Sequence, residues 1–149
     1  MKICLISSSG GHFEQLIMLD ELKHYHDIIY ITEKTLYNKN DMKFYFIKQI
    51  NRSEKTMILK MFYNFLMCIL IFFKEKPDVI ISTGALSVIP MFLIGKMLRR
   101  KLIFIESFAK SNSPTLTGKF IYKFADIFIV QWESMKEVYP KAIYLGSIY

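Results

Sequence analysis

A Rossmann-like α/β fold, a mostly parallel sheet with helices on both faces, is what this sequence predicts, and two observations predict it. Strand-like and helix-like segments alternate along the whole chain, the pattern of a parallel sheet covered on both sides. Small and polar residues gather at the carboxyl ends of the strand-like segments, where open α/β sheets bind ligands. The amino ends carry mostly lysines and aspartates. With 149 residues and no repeat, linker or low-complexity stretch, the chain reads as one domain over residues 1–149.

The first strand is Lys2–Ser7, followed by Ser8, Ser9, Gly10 and Gly11. A helix over 12–24 places Phe13, Leu16, Ile17, Leu19 and Leu22 on its apolar side. Residues 27–32 read as the second strand, 38–41 as a turn and 44–47 as the third strand. A long helix over 54–73 stops at Lys76-Pro77-Asp78, and 79–83 is the fourth strand. Gly84 opens a loop before a helix over 87–98, with Pro90 in its first turn, where a missing N–H does no harm. The fifth strand (101–106), a helix (116–124), the sixth strand (126–131), a short helix (133–138) and a last short strand (142–145) complete the pattern.

Hydrophobic residues make up 52% of the chain and aromatics 15%, which excludes a disordered protein. The mean hydropathy is +0.25, high for a freely soluble domain. Twenty Lys and Arg against 13 Asp and Glu give a formal charge of +7. A basic, apolar chain suits an anionic membrane surface or a nucleic acid. No nucleic-acid motif appears, and the basic residues accompany apolar ones on helices, so no nucleic-acid partner is expected. Cys4 and Cys68 sit in apolar runs and read as small buried hydrophobes. No C-x-x-C spacing occurs, so neither a metal nor a cofactor is expected. The chain begins on a strand pattern without a signal peptide, so the expected compartment is the cytoplasm.

The sharpest element is Ser8-Ser9-Gly10-Gly11-His12. Two glycines between a strand and a helix let a ligand approach the backbone, and the helix start offers N–H groups to an anion. It is neither G-x-G-x-x-G nor a P-loop, and a plain tight turn is the alternative. His12 stands beside that loop, either as a base or hydroxyl partner or as a capping histidine. Glu106 ends the apolar fifth strand, as a base, a hydroxyl acceptor or an ion partner of Lys110. Within 57–73 only Lys60 and Asn64 are strongly polar, and they share one stripe of the helix. Packing on a sheet needs one apolar side, so a second apolar partner is expected for this helix, with Lys60, Phe62, Phe65, Leu66, Ile69, Phe73, Arg99 and Arg100 as contacts to a membrane or a partner chain. Spanning is disfavoured, because the segment is short, carries Lys60 and lies between two strands of one sheet.

In order, Ser8-Ser9-Gly10-Gly11-His12, Ser82-Thr83-Gly84 with Pro90, Ile105-Glu106-Ser107-Phe108-Ala109-Lys110, Val130-Gln131-Trp132 and Tyr144-Leu145-Gly146 resemble the bacterial PssD/CpsF-type polysaccharide-biosynthesis subunits. Those are similar to the eukaryotic membrane-anchoring subunit of the two-subunit N-acetylglucosaminyltransferase of lipid-linked oligosaccharide synthesis. More distantly, the loop resembles that of the amino-terminal half of MurG-like GT-B enzymes. The resemblance implies the acceptor-holding subunit of a heteromeric glycosyltransferase, weak or inactive alone, working in capsular or exopolysaccharide synthesis. A second chain would bring a UDP-sugar, UDP-galactose or a related hexose, to a polyprenyl-diphosphate-linked sugar. This chain would be peripheral on the inner face of the cell membrane. It implies catalytic roles for His12 and Glu106, with Ser9, Gly10, Gly11, Gly84 and Ser107 at the acceptor. The eukaryotic pattern has an amino-terminal membrane helix that this sequence lacks, so attachment would rest on 57–73 or on the partner. The alternative is a non-catalytic enhancer or membrane scaffold of the partner.

Overall fold

The computed structural model describes residues 1–34 and 42–149, so the turn expected at 38–41 lies outside the described residues. Seven strands form one sheet: β1 (Lys2–Ser7), β2 (Asp27–Glu33), β3 (Lys43–Ile47), β4 (Val79–Gly84), β5 (Lys101–Ile105), β6 (Ile127–Val130) and β7 (Ile143–Tyr144). Their order is β3-β2-β1-β4-β5-β6-β7, and every neighbouring pair is parallel. Five α-helices connect them: α1 (Gly11–Ile17), α2 (Met57–Glu75), α3 (Ile89–Met97), α4 (Leu116–Ile121) and α5 (Met135–Val138).

The sheet has a core on each face. On one side Phe13 and Leu16 of α1 meet Ile3, Leu5, Tyr30, Ile81 and Ile105. On the other, residues of α2 through α5 cover Cys4, Ile6, Ile29, Ile80, Phe104 and Val130. Both cysteines are free and fully buried, and burial pushes their thiols up, Cys68 to about 12. They fill space and do no chemistry.

The helix expected over 12–24 is broken. Met18 N–H donates to the Gln15 carbonyl and Leu19 N–H to that of Leu16, a tightening that ends α1. A 3-10 turn, Asp20–His24, follows, and the bend lets Leu19 and Leu22 pack on the β-sheet core beside Ile17. Likewise the helix expected over 87–98 opens with a 3-10 turn, Leu86–Val88, before α3.

α2 faces the opposite way from an ordinary surface helix. Its inward stripe is Asn64, Cys68, Ile71, Phe72 and Glu75. The Asn64 amide accepts from Lys48 N–H at 2.8 Å and donates to the Lys48 carbonyl at 2.8 Å, satisfying the chain just beyond β3. At the far end Glu75 receives Lys2 (3.0 Å), Lys43 (2.7 Å) and the Tyr45 hydroxyl. Burial alone would raise the Glu75 carboxyl, but these donors outweigh it and hold it at about 2, below its ordinary 4.5. What remains outside is apolar: Ile58, Leu59, Phe62, Leu66, Leu70 and Phe73 are 45–75% exposed. α2 is, among the described residues, the one helix long and apolar enough to cross a membrane. Its middle is bonded to the chain just beyond β3 and its end to β1 and β3, so in the folded domain it lies along the sheet.

The residues expected to contact a membrane or partner are not all placed alike. Phe65 and Ile69 are half-buried and pack on the core, because they flank the Asn64–Cys68 stripe. Lys60 pairs with Glu54 at the start of α2. Arg99 and Arg100 stand beyond α3 at the amino ends of the strands, where Arg100 lies 3.8 Å from Asp78 and over the Phe72 ring. Lys60 and the Arg99–Arg100 pair thus stand toward opposite ends of the apolar face.

Asn64→Leu is expected to cost about 1–3 kcal/mol in urea unfolding, since it removes two hydrogen bonds to the part-buried backbone of Lys48. Acid stability has a second test. The unfolded chain protonates Glu75 at an ordinary carboxylate pKa and the folded one only near 2, so this stabilisation is complete above about pH 4.5 and is lost as pH falls toward 2. Glu75→Gln should flatten that limb of the stability–pH curve.

Candidate functional site

β1 and β4 are adjacent, yet the helices that follow them lie on opposite faces, α1 on one and α3 on the other. That divergence opens a crevice at the carboxyl rim of the sheet, the usual place for a ligand in this architecture. The pairing slips there: Ile6 stands opposite Ser82 but Ser7 opposite Gly84. Thr83 is the extra residue, and the bulge turns its polar groups toward α1. Its hydroxyl donates to the His12 carbonyl at 2.6 Å, and its carbonyl takes the His12 Nδ1 proton at 2.7 Å.

A carbonyl only accepts, so Nδ1 carries a proton, and in the neutral tautomer that this bond selects, Nε2 is the acceptor. The ring lies across Gly84, whose φ is +118°. A Cβ there would come within 2.9 Å of His12 Cε1, so only glycine suits both the backbone and the contact. Gly10 (φ +75°) ends the loop before α1, and Gly10 and Gly11 are exposed at the rim. His12, Gly84, Asn51, Arg52, Leu86 and Thr115 border a cavity of about 290 Å³.

Ser9 is held one step away. Its N–H and hydroxyl both bond Glu33 Oε2, at 3.2 and 2.9 Å, while Oε1 takes the Ser87 hydroxyl at 3.2 Å. The buried Glu33 carboxylate thus ties the glycine loop to the segment that follows β4.

Glu106 does not face the crevice. It is 1% exposed and accepts from Ser107 N–H (2.9 Å), Thr115 Oγ1 (2.9 Å), Thr115 N–H (3.3 Å) and the Tyr139 hydroxyl (2.7 Å). Burial and the bond to Glu106 push the Tyr139 phenol up, so it stays a donor. Gln131 bridges the Glu106 carbonyl to Gln15 of α1, at 2.9 and 2.8 Å. A catalytic base needs a free lone pair toward substrate, and every contact here is spent on the fold. The expected catalytic role of Glu106 therefore does not fit, and none of the ion pairs among the described residues joins it to Lys110. Ser107 is buried too, so its expected contact with an acceptor does not fit either.

The structure thus brings Gly10, Gly11, His12 and Gly84 together on one rim, with Ser9 behind them, and sets Glu106 and Ser107 beneath it. Asn51, Arg52 and Thr115 were not singled out from the sequence. Asn51 and Arg52 follow the carboxyl end of β3, so the strand-end rule applied to that loop would have found them. Thr115 carried no such signal, since it caps α4 ten residues after its own strand.

This sheet order and this rim define the class: an amino-terminal, Rossmann-like domain of the GT-B type. Acinetobacter baumannii MurG superposes with a TM-score of 0.73 at 14% identity, over 89% of this chain and 42% of that one. Methanocaldococcus jannaschii UDP-GlcNAc 2-epimerase, in complex with UDP-GlcNAc and UDP, gives 0.75 at 15% identity over 99% and 47%. At such identities the likeness is one of fold. Within the class the particular assignment comes from sequence: the chain belongs to the Alg14-like oligosaccharide-biosynthesis proteins, whose family profile matches residues 3–148. It is 30% identical over 107 residues to the mouse UDP-N-acetylglucosamine transferase subunit ALG14, covering 68% of this chain and 49% of the mouse protein. To the Yarrowia lipolytica protein of the same name it is 28% identical over 99% of this chain and 81% of that protein. The chain thus spans about half the length of the mammalian relatives it matches.

Replacing Glu106 by Gln should lower stability by about 2–4 kcal/mol, because a charged acceptor with four donors becomes an amide that cannot take them all. Thermal or urea unfolding reads it directly; a stable variant with a lost activity would instead return Glu106 to the chemistry.

Proposed function

We propose that this chain is the acceptor-holding subunit of a two-subunit, UDP-sugar-dependent glycosyltransferase that works on a lipid-linked sugar at a membrane surface. The observation that carries the reading is the His12 ring: clamped through Nδ1 by the Thr83 carbonyl, it keeps Nε2 as an acceptor beside a glycine-lined crevice. The outward apolar face of α2 supports the membrane part. The compartment proposed is the cytoplasmic side, with the chain peripheral on the membrane.

In this reading the second chain brings the UDP-sugar to the rim. The acceptor hydroxyl gives its proton to His12 Nε2 while its oxygen bonds the anomeric carbon. The bond from that carbon to the diphosphate oxygen breaks, and UDP leaves with the electron pair. Gly10, Gly11 and Gly84 border the acceptor, with Ser9 holding the loop behind them through Glu33. The relatives are named for UDP-N-acetylglucosamine, so that donor is the first to assay. UDP-galactose and a capsular or exopolysaccharide setting, expected from the PssD/CpsF resemblance, draw no support from these relatives.

The test is transfer to a lipid-linked acceptor by the chain mixed with its partner. The chain alone should be inactive, the pair active. His12→Gln should leave the complex assembled and lower turnover by about 10²–10⁴-fold, the usual worth of a positioned base. Unchanged turnover would favour the enhancer reading, in which this chain supplies placement and no reacting group.

A further inference from the structure

Phe108 joins two segments of the carboxyl rim that the His12 crevice does not use, the start of the β5–α4 loop and the end of β6. Its N–H donates to Gln15 Oε1 of α1 at 3.4 Å, and its carbonyl accepts from Trp132 Nε1 at 2.7 Å. Its ring lies against the Trp132 ring, with centroids 4.9 Å apart and planes tilted by 31°. On another side the Tyr149 ring meets Phe108 edge-on at 5.5 Å. Trp132 is thus held in one orientation while 38% of it stays exposed.

Gln15 and Gln131 are each 4% exposed, and donors and acceptors alone orient their amides. Ile148 N–H can only donate, and it bonds Gln131 Oε1 at 3.0 Å. The Glu106 carbonyl can only accept, and it takes Gln131 Nε2 at 2.9 Å. The same Nε2 reaches Gln15 at 2.8 Å, so the Gln15 atom there is Oε1, as the Phe108 N–H also requires. Gln15 Nε2 is left with its N–H donors and no protein partner among the described residues. It is not one of the sealed, unpaired polar atoms, so it opens to solvent. A chain of buried amides therefore turns the donors of a nearly buried side chain outward.

We infer that Gln15 Nε2 and the Trp132 ring form a subsite for a pyranose, in which the amide donates to a sugar oxygen and the indole takes the C–H face of the ring. A sugar joins an apolar face to acceptor oxygens at its edge, and a fixed aromatic beside a fixed amide donor matches both. An apolar side chain of a partner would cover Trp132 but leave the Gln15 donors unmet. α1 joins the subsite to the crevice, since Gln15 follows His12 by three residues, about 4.5 Å along the helix axis. The inference rests on the acceptor-subunit reading above and deepens it: Gln15 and Trp132 choose the sugar, and His12 acts on the reacting hydroxyl.

Trp132 is the chain's single tryptophan, so its emission is a probe of this place alone. N-acetylglucosamine is titrated into the full chain, beside glycerol as a polyol without a ring. The sugar should shift the emission saturably, and glycerol should not. Gln15→Glu keeps the acceptor oxygen and removes the donors, and it should weaken the sugar about three- to tenfold, as expected for one lost hydrogen bond. Gln15→Met takes its place should a buried charge prevent folding. Trp132→Ala, followed by saturation-transfer NMR of the sugar, should weaken binding about threefold or more. With the partner chain present, the Gln15 variant should raise the acceptor KM by the same factor as the sugar affinity falls, which a loss of folded protein would not do. No saturable shift, an equal response to glycerol, or unchanged affinity in the Gln15 variants would overturn the inference. So would an emission that answers to the partner chain and not to sugar, which would make Trp132 a subunit contact. The two failures are separable: sugar binding without transfer by the pair sinks only the two-subunit reading, and transfer whose KM ignores Gln15 and Trp132 sinks only this proposal.

Discussion

Everything about the outer surface follows from one paired hydrogen bond, that between the Asn64 amide and the backbone of Lys48. Past β3 the chain leaves the sheet, and its N–H and carbonyl at Lys48 have no strand to pair with. Left unpaired where α2 partly covers them, they would cost stability. An asparagine carries one donor group and one acceptor on a short stem, so a single residue of α2 answers both. Once Asn64 is turned inward, the rotation of the helix is set, and Cys68, Ile71, Phe72 and Glu75 must follow it. The remaining side chains are mostly Ile, Leu and Phe, and they are left outside. The apolar face is thus a consequence of how α2 is anchored.

The rim shows a comparable division between groups that hold and a group that is held but free. Glu33 and Glu106 are both nearly buried, and both end strands at the carboxyl edge. Each is saturated with donors from serine, threonine or tyrosine and from backbone N–H groups. Their work is to fix loops: Glu33 fixes the Ser9 turn, and Glu106 fixes the start of α4 and the end of the chain's α5. His12 is anchored through one nitrogen only. A bulge at Thr83 supplies the anchor through a backbone carbonyl, which leaves the second nitrogen without a protein partner among the described contacts.

Much of this was legible in the sequence. Short apolar runs alternating with helical stretches located the seven strands of the described residues, and the central ones, covered on both faces, are apolar almost throughout. The crevice was legible too, since Gly10, Gly11, His12 and Gly84 stand at ends of strands that the parallel order makes neighbours. The role of Glu106 was not: a carboxylate after Ile105 reads the same whether it faces a cleft or a cage. The cage comes from Thr115 and Tyr139, 9 and 33 residues away, which only tertiary structure brings together. The shared stripe of Lys60 and Asn64 was visible, but not its direction. A polar stripe on a surface helix ordinarily points to water, and here the unpaired backbone of Lys48 reverses the choice.

The placement of α2 fixes where its exposed apolar face stands relative to the rim. As a crossover helix it runs back from the carboxyl rim for 19 residues, roughly 28 Å, so its first turn lies at the rim and its last at the amino ends of the strands. Whatever surface covers Ile58, Leu59 and Phe62 is therefore held within a helix turn or two of the loop that carries Arg52. On the proposed reading, a sugar on a lipid diphosphate stays close to the headgroups, since leaving the interface would expose its tail, and the rim with His12 has to come to it. A helix lying along the sheet meets that requirement with no hinge, because the same hydrogen bonds that orient α2 also fix the distance between the apolar surface and the imidazole.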